Sequence, residues 1–447
     1  MRAGKFLAGC CLALITTINL QAQSSPAVLT LKQCVETALK NNMEVKLADL
    51  NTQRDFVSLR GAKGAMLPSL IGNVGHNLRQ GRSIDYANNA YTNNSNTTAD
   101  VSLNADVTLF NGFRLFNNLK ARQYMYDAGR MEWQQARDLL TLNVILAYLD
   151  VLSFTDVLQQ QEQLTEVTQK QVDRLAIMNE EGAIKPSDFY DLKGQLAANK
   201  LSIIDTRNQL NNARLRLAQL MNITYDESLN VERVGIEQFD MTYAATPNAV
   251  YQAALEQLAQ VKAVDLVKKS AERTVKSERG GLFPTISAGA GYNTNYSRNF
   301  LDSASKRIPY IDQIRNNRST NVGVGVYIPF MNGFQQRNRL SLAKIALKEA
   351  EYIAENTRIQ LRQNIERDHL NMTATLNRYQ ALIDQVSSYA ENFRAAEVRF
   401  NNGASNSVDY LIAKNKLDNS NIDLIIARYD FLLRTRILDY YQGKLSW

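Results

Sequence analysis

Residues 101–110 alternate without a break, with Val101, Leu103, Ala105, Val107 and Leu109 on one face and Ser102, Asn104, Asp106 and Thr108 on the other. A period of two residues is that of a β-strand. Residues 321–330 repeat the design, with Val322, Val324, Val326, Ile328 and Phe330 set against Asn321, Gly323, Gly325 and Tyr327. Weaker versions stand at 69–78 and 285–294, so strands are expected over about 69–79, 99–110, 285–296 and 320–330. A run of about ten residues suits a tilted transmembrane strand. The second face is small and polar, as a wet lumen would be. Residues 80–97, which hold Asn88, Asn89, Asn93, Asn94 and Asn96, read as an extracellular loop.

Elsewhere the period is helical. Helices are expected over about 30–63, 113–180 and 187–222, and again over 247–280, 334–401 and 407–442. The two longest contain no proline and only Gly129 as an interior glycine. At a rise of ~1.5 Å per residue each would run roughly 100 Å, far beyond a compact domain. Leu196, Ile203, Leu210 and Leu217 recur every seven residues, with small residues such as Ala213 between these large ones, a pattern that lets neighbouring helices approach closely in a coiled coil. Each return helix has half the length of its outgoing partner. The remainder is expected to come from the short helix of the other copy, 247–280 on the first return and 30–63 on the second. Residues 223–246 would form an irregular belt at that junction.

These elements occur twice. Leu67-Pro68-Ser69 recurs as Phe283-Pro284-Thr285, and Asn111-Gly112-Phe113 as Asn332-Gly333-Phe334. Gly182-Ala183 with Asp188 recurs as Gly403-Ala404 with Asp409, and the heptad leucines land on Leu417, Leu424, Phe431 and Leu438, all at an offset of 221. The expected plan is therefore a first repeat over 23–240 and a second over 241–447. Four strands leave two unpaired edges, which lipid does not tolerate, so the chain must associate. Two copies would give eight strands and a filled interior, whereas three give twelve and an aqueous path.

The remaining chemistry is sparse. Arg2 and Lys5, an apolar run to Leu20 and Gln21-Ala22-Gln23 have the layout of a signal peptide over 1–22, and Leu7-Ala8-Gly9-Cys10 also reads as a weaker lipidation box. Removing the segment lowers the net charge from +7 to +5, and the basic residues alternate with acidic ones along the helices, against a nucleic-acid partner. Cys34 is left as a lone thiol, and His76 and His369 have no companions with metal-ligand spacing, so neither metal nor cofactor is expected. No Ser and His pairing in a motif context and no phosphate loop argue for an enzyme. No later segment has 18 consecutive apolar residues, so a membrane would be met with strands.

The order of Leu67-Pro68-Ser69, Leu109-Phe110-Asn111-Gly112-Phe113, the Gly182 turn and their second copies resembles the TolC-like outer-membrane factor family over nearly the whole mature chain. The resemblance implies an α+β membrane protein. Each chain would supply four strands to a trimeric twelve-stranded barrel continued by a coiled-coil helical tunnel through the periplasm. It implies a homotrimer in outer-membrane lipid, a passive exit duct for efflux or type I secretion, docked on a periplasmic adaptor tied to an inner-membrane pump. In that family the periplasmic turns hold the adaptor contact and the closed entrance. Mapped here, Gly182, Ala183, Ser187, Gly403, Ala404 and Ser407 would meet the adaptor, and Asp188, Asp191 and Asp409 would line the entrance. Two departures stand out: Pro186 lies in the first turn, and Ile412 stands where some relatives carry a second carboxylate. A non-conducting periplasmic coiled-coil tether is the alternative, and the alternating strands weigh against it.

Overall fold

A computed structural model describes residues 28–85, 89–233, 243–304 and 306–445. The expected signal segment, with Cys10, and the middle of the expected belt lie outside the described residues. After a two-residue strand β1 (Val28–Leu29), the first series runs α1 (Leu31–Asn41), α2 (Met43–Gly64), β2 (Ser69–Asp85), β3 (Ala90–Phe110), α3 (Arg114–Glu180) and α4 (Pro186–Met221). Strand β4 (Asn230–Val231) pairs in parallel with β1. The second series is α5 (Pro247–Gln257), α6 (Ala259–Gly280), β5 (Thr285–Ser297), α7 (Tyr310–Asn316), β6 (Ser319–Tyr327), α8 (Gln335–Asn401) and α9 (Ser407–Tyr441). Helices of 11, 22, 67 and 36 residues in the first series face 11, 22, 67 and 35 in the second, so the two follow one plan down to the turn.

The sheet has the antiparallel order β2-β3-β5-β6, leaving β2 and β6 as free edges. Its first hairpin is longer than alternation predicts. Pairing continues from Ser69↔Asp106 to Asp85↔Ala90, so most of the expected loop at 80–97 is strand. The apolar rhythm fades there because both faces turn polar, while the backbone ladder, which needs no side chain, continues.

Two helical expectations are corrected. The segment 30–63 breaks at Asn42, which is extended and whose Oδ1 accepts from the Glu44 and Val45 N–H groups, starting a new helix. The segment 247–280 breaks likewise at Leu258. These breaks receive the ends of the return helices, and the stacking is the reverse of the expected one. Asn42 Nδ2 donates to Leu220 O at 3.4 Å and Asn222 Nδ2 to Asn41 O at 3.4 Å, so α2 continues the column of α4. Gly443, just past α9, lies against Gln257 at the end of α5, so α6 continues α9. Each copy closes its own return path. Sequence length permitted both pairings, and the backbone-directed amides of Asn42 and Asn222 select one.

The columns stand side by side as α2/α4, α3, α6/α9 and α8. In the upper part Thr52 Oγ1 donates to Gly129 O at 2.9 Å, where α2 crosses α3 closely. Ser270 Oγ donates to Ala121 O and Ser277 Oγ to Arg114 O, fastening α6 to α3. The main core lies at mid-height, where Val144, Ile145, Tyr148 and Leu152 of α3 pack on Val35 and Ala38 of α1, Leu217 and Met221 of α4, and Leu432 of α9. Tyr148 reaches from it to the belt, its hydroxyl 2.6 Å from Glu232 O. Helix α3 is by composition long and apolar enough to cross a membrane, but its apolar window is 61 % buried in this core. Cys34 is fully buried there, and burial pushes its thiol up to about 11.

Candidate functional site at the helical tips

Both long helices end in the same backbone device. Ala183 N–H donates to Met178 O and Gly182 N–H to Asn179 O, while Ala404 N–H donates to Arg399 O and Gly403 N–H to Phe400 O. This double bond pattern closes a helix on a left-handed residue, and glycine takes that conformation without a Cβ penalty. Gly182 has φ of 66° and Gly403 of 69°. The next helices start differently. Asn406 caps α9 by accepting from Asp409 N–H at 2.9 Å, whereas Lys185 makes no side-chain cap bond and Pro186 opens α4 with no N–H to satisfy.

The two turns are clasped to each other. Ser407 N–H donates to Asp188 Oδ1 at 3.2 Å, and Ser407 Oγ–H to Asp191 Oδ2 at 2.8 Å. Nearby, Arg174 donates to Asn401 at 2.9 Å and Asn415 to Gln195 at 3.1 Å. All four bonds tie the α3–α4 hairpin to the α8–α9 hairpin. Between the turns lies a cleft of about 480 Å³ lined by Ile184, Asp188, Phe400, Ser405 and Asn406 among others.

Beneath the clasp, Val172, Leu175, Leu192 and Leu196 enclose Tyr410, whose ring stacks on Phe400 at 4.8 Å. The Tyr410 hydroxyl is buried without a partner, and burial together with the negative charges of Glu397 and Asp418 pushes it up to about 12. One turn further on, Lys414 pairs with Asp418, their side chains 3 % and 14 % exposed. Burial raises the Asp418 carboxyl above its ordinary value, and Lys414 only partly offsets it. Such a pair holds while both charges are present and is costly when one is removed.

Of the expected residues, Gly182, Ala183, Ser187, Gly403 and Ala404 lie exposed at the extreme end of the molecule. Ser407 does not. It is 1 % exposed, turned by its two bonds to the first copy into the clasp and away from the outward contact surface expected of it. Asp188 and Asp191 are brought together as acceptors for Ser407, while Asp409 stays apart and exposed, accepting locally from Ser405 Oγ. Sequence reasoning missed Tyr410, Lys414 and Asp418. Lys414 and Asp418 are spaced as an ordinary surface pair, and nothing in the sequence marks them as buried. Among the described residues no group of three or more His, Cys, Asp or Glu is placed to hold a metal ion. His369 instead lies 3.1 Å from Ala245 O, a structural contact.

The family model described as "Outer membrane efflux protein" matches residues 34–222 and 250–440, one stretch in each series. The chain is similar to the outer membrane protein TolC of Salmonella enteritidis, 24 % identical over 427 residues, covering 93 % of this chain and 82 % of that one. It is also similar to the toxin and drug export protein A of Aggregatibacter actinomycetemcomitans, 20 % identical over 409 residues and covering 90 % and 83 %. Among solved structures, the outer membrane protein VceC from Vibrio cholerae aligns with a TM-score of 0.79 at 17 % identity, covering 92 % of this chain and 96 % of that one.

Proposed function

The chain belongs to the outer membrane efflux protein family, and on that premise we propose that three copies close into one passive duct whose entrance is held shut by the clasp between the two helical tips. As a member of that family it is an outer-membrane exit duct for efflux or secretion, with a helical extension on the periplasmic side. One observation carries the closure. The four-stranded sheet ends in two free edges, β2 and β6, and the columns below it end in two free flanks, α2/α4 and α8. Unpaired strand edges are excluded from lipid, so edge and flank must be met by the opposite edge and flank of another copy. Three copies give twelve strands, the smaller number that leaves a water-filled bore.

In this reading the exposed turn residues Gly182, Ala183, Ser187, Gly403 and Ala404 dock a periplasmic adaptor bound to an inner-membrane pump, and the pump supplies the energy. Asp188, Asp191 and Asp409 stand within the first two turns of their helices, so three copies bring them into rings at the entrance, which would favour cations. Opening separates the α3–α4 hairpin from the α8–α9 hairpin, and the bonds that must break at the tip include both of those of Ser407. The test is a planar-bilayer recording on the purified protein, combined with cross-linking in membranes. A trimer with small conductance that rises when Asp188 and Asp191 are replaced by Ala is expected. A dimer as the largest species would overturn the closure, and silence from both wild type and variant would overturn the duct.

A further inference from the structure

The net charge of +7 is not spread over the molecule. Where the sheet passes into the helices, four chain segments reach one level: 58–68 at the end of α2, 111–122 at the start of α3, 272–284 at the end of α6 and 331–344 at the start of α8. Lateral bonds set that level. A Cβ on Gly112 would fall 2.4 Å from Gly280 O, Ser277 Oγ donates to Arg114 O at 3.0 Å, and Gln336 Nε2 donates to Glu278 O at 2.6 Å. These segments carry eleven Lys and Arg against two Glu, a surplus of nine, so the rest of the chain is net negative. Among the described residues none of the eleven enters an ion pair. One of the two Glu, Glu278, is already engaged by Gln336.

Helix stability accounts for only half of the placement: Lys63 and Arg279 stand in the last turns of α2 and α6, where the helix dipole favours cations. Arg114, Arg337 and Arg339 sit at or near the N-terminal ends of α3 and α8, where the helix dipole disfavours cations, and neither first turn holds an acidic residue. Immediately on the sheet side lies an apolar layer that the protomer leaves open, part of it beside the β6 edge and α8 flank that a second copy meets. Phe330 and Met331 are 90 % and 93 % exposed, and Phe113 and Phe334 are 65 % and 66 % exposed. Both copies hold that last aromatic in the left-handed conformation, φ 61° and 60°, which is costly for a residue with a Cβ. The Arg337 guanidinium lies 5.8 Å from the Phe334 ring and the Lys120 ammonium 6.0 Å from the Phe116 ring, cations directly beside the aromatic level.

An apolar aromatic layer followed by an unpaired cationic one is the arrangement of a membrane boundary, with rings in the interface and basic heads at the level of phosphates. We propose that this collar binds the headgroups of anionic phospholipids in the leaflet on the helix side of the barrel. The collar sets the depth of the barrel and enriches acidic lipid around it. The inference rests on the sheet being the membrane-embedded part of the duct.

The test uses the full-length protein in vesicles of phosphatidylcholine containing phosphatidylglycerol, with spin-labelled lipid reporting occupancy of the protein boundary. Wild type is expected to prefer phosphatidylglycerol by about threefold or more at low salt, losing the preference at high salt, because surface charge attraction is screened. The variant Lys63→Gln/Lys276→Gln/Arg337→Gln/Arg339→Gln, changed only at exposed positions, is expected to insert with at least half of its preference lost, whereas Arg337→Lys/Arg339→Lys retains it. Preference of which more than half survives the four-fold Gln variant, or a wild type that inserts without preference, overturns the inference while leaving the duct standing. A wild type that enters neither lipid overturns the membrane-embedded sheet, and the collar with it.

Discussion

The turn at Gly182 and the turn at Gly403 share a backbone and differ in what they can exchange. Placed 221 residues apart, Asp188 corresponds to Asp409 and Asp191 to Ile412, while Ser407 corresponds to Pro186. The first copy thus holds two acceptors and the second a backbone N–H and a hydroxyl to satisfy them. The reverse contact is chemically impossible, because Pro186 has neither group and Ile412 accepts nothing. A serine on one side and a second aspartate on the other make the contact directional, so each hairpin has one defined partner. The same divergence continues one turn further. Lys414 and Asp418 are buried together, whereas their counterparts are the exposed Lys193, its ammonium 5.7 Å from the Phe189 ring, and Ala197.

The largest expected effect sharpens that last difference. Lys414→Met strands a buried carboxylate and is expected to cost about 3 kcal/mol or more in thermal unfolding followed by circular dichroism. Lys414→Met with Asp418→Leu should recover most of the loss. Lys193→Met, the same change in the other copy, should stay within roughly 0.5 kcal/mol. Equal losses at Lys414 and Lys193 would erase the distinction.

Next comes the clasp. Ser407→Pro copies the first turn onto the second and removes both interlocking bonds. Two charge-assisted hydrogen bonds at about 1.5 kcal/mol each, the low end of their range, sum to about 3 kcal/mol, so conductance in a planar bilayer should rise by up to roughly a hundredfold. Asp409→Asn, which leaves the clasp untouched, should change it little. A similar rise from both would mean that the aspartates act through charge alone.

The shared part of the two turns should respond alike. Gly182→Ala and Gly403→Ala each force a Cβ into the left-handed region, at about 1 kcal/mol, with trimer recovery unchanged on cross-linking. An effect confined to one of them would show that the backbones are not equivalent in function.

The smallest effect is a pH slope. Because burial raises the folded-state pKa of Asp418 above 3.8, the folded protein holds the proton more tightly than the unfolded chain. Its contribution to stability is present below the ordinary value and is lost as pH rises through the raised one. Thermal melts of Asp418→Asn compared with wild type across that window should show a shallower decline, with no corresponding change for Ala197→Asn.

Strand and helix identity, the 67-residue length of α3 and α8 and the turn glycines were legible from residue order, because periodicity, proline and glycine act over a few neighbouring residues. The kinks at Asn42 and Leu258 were not, since a single extended residue leaves the apolar rhythm on either side almost unbroken. The two carboxylates of the clasp, Asp188 and Asp191, could be named from the tip motif, but their partner could not. Ser407 lies 219 and 216 residues from the two carboxylates it meets. Only packing decided that α2 continues α4 and α6 continues α9, because both arrangements match in length and the choice rests on contacts across each junction, amides on carbonyls at Asn42 and Asn222 and Gly443 against Gln257. The basic collar belongs to the same class. Along the chain its residues fall in four short stretches separated by up to about 150 positions, and they form one charged layer because hairpins and antiparallel helices return the chain to the same height four times.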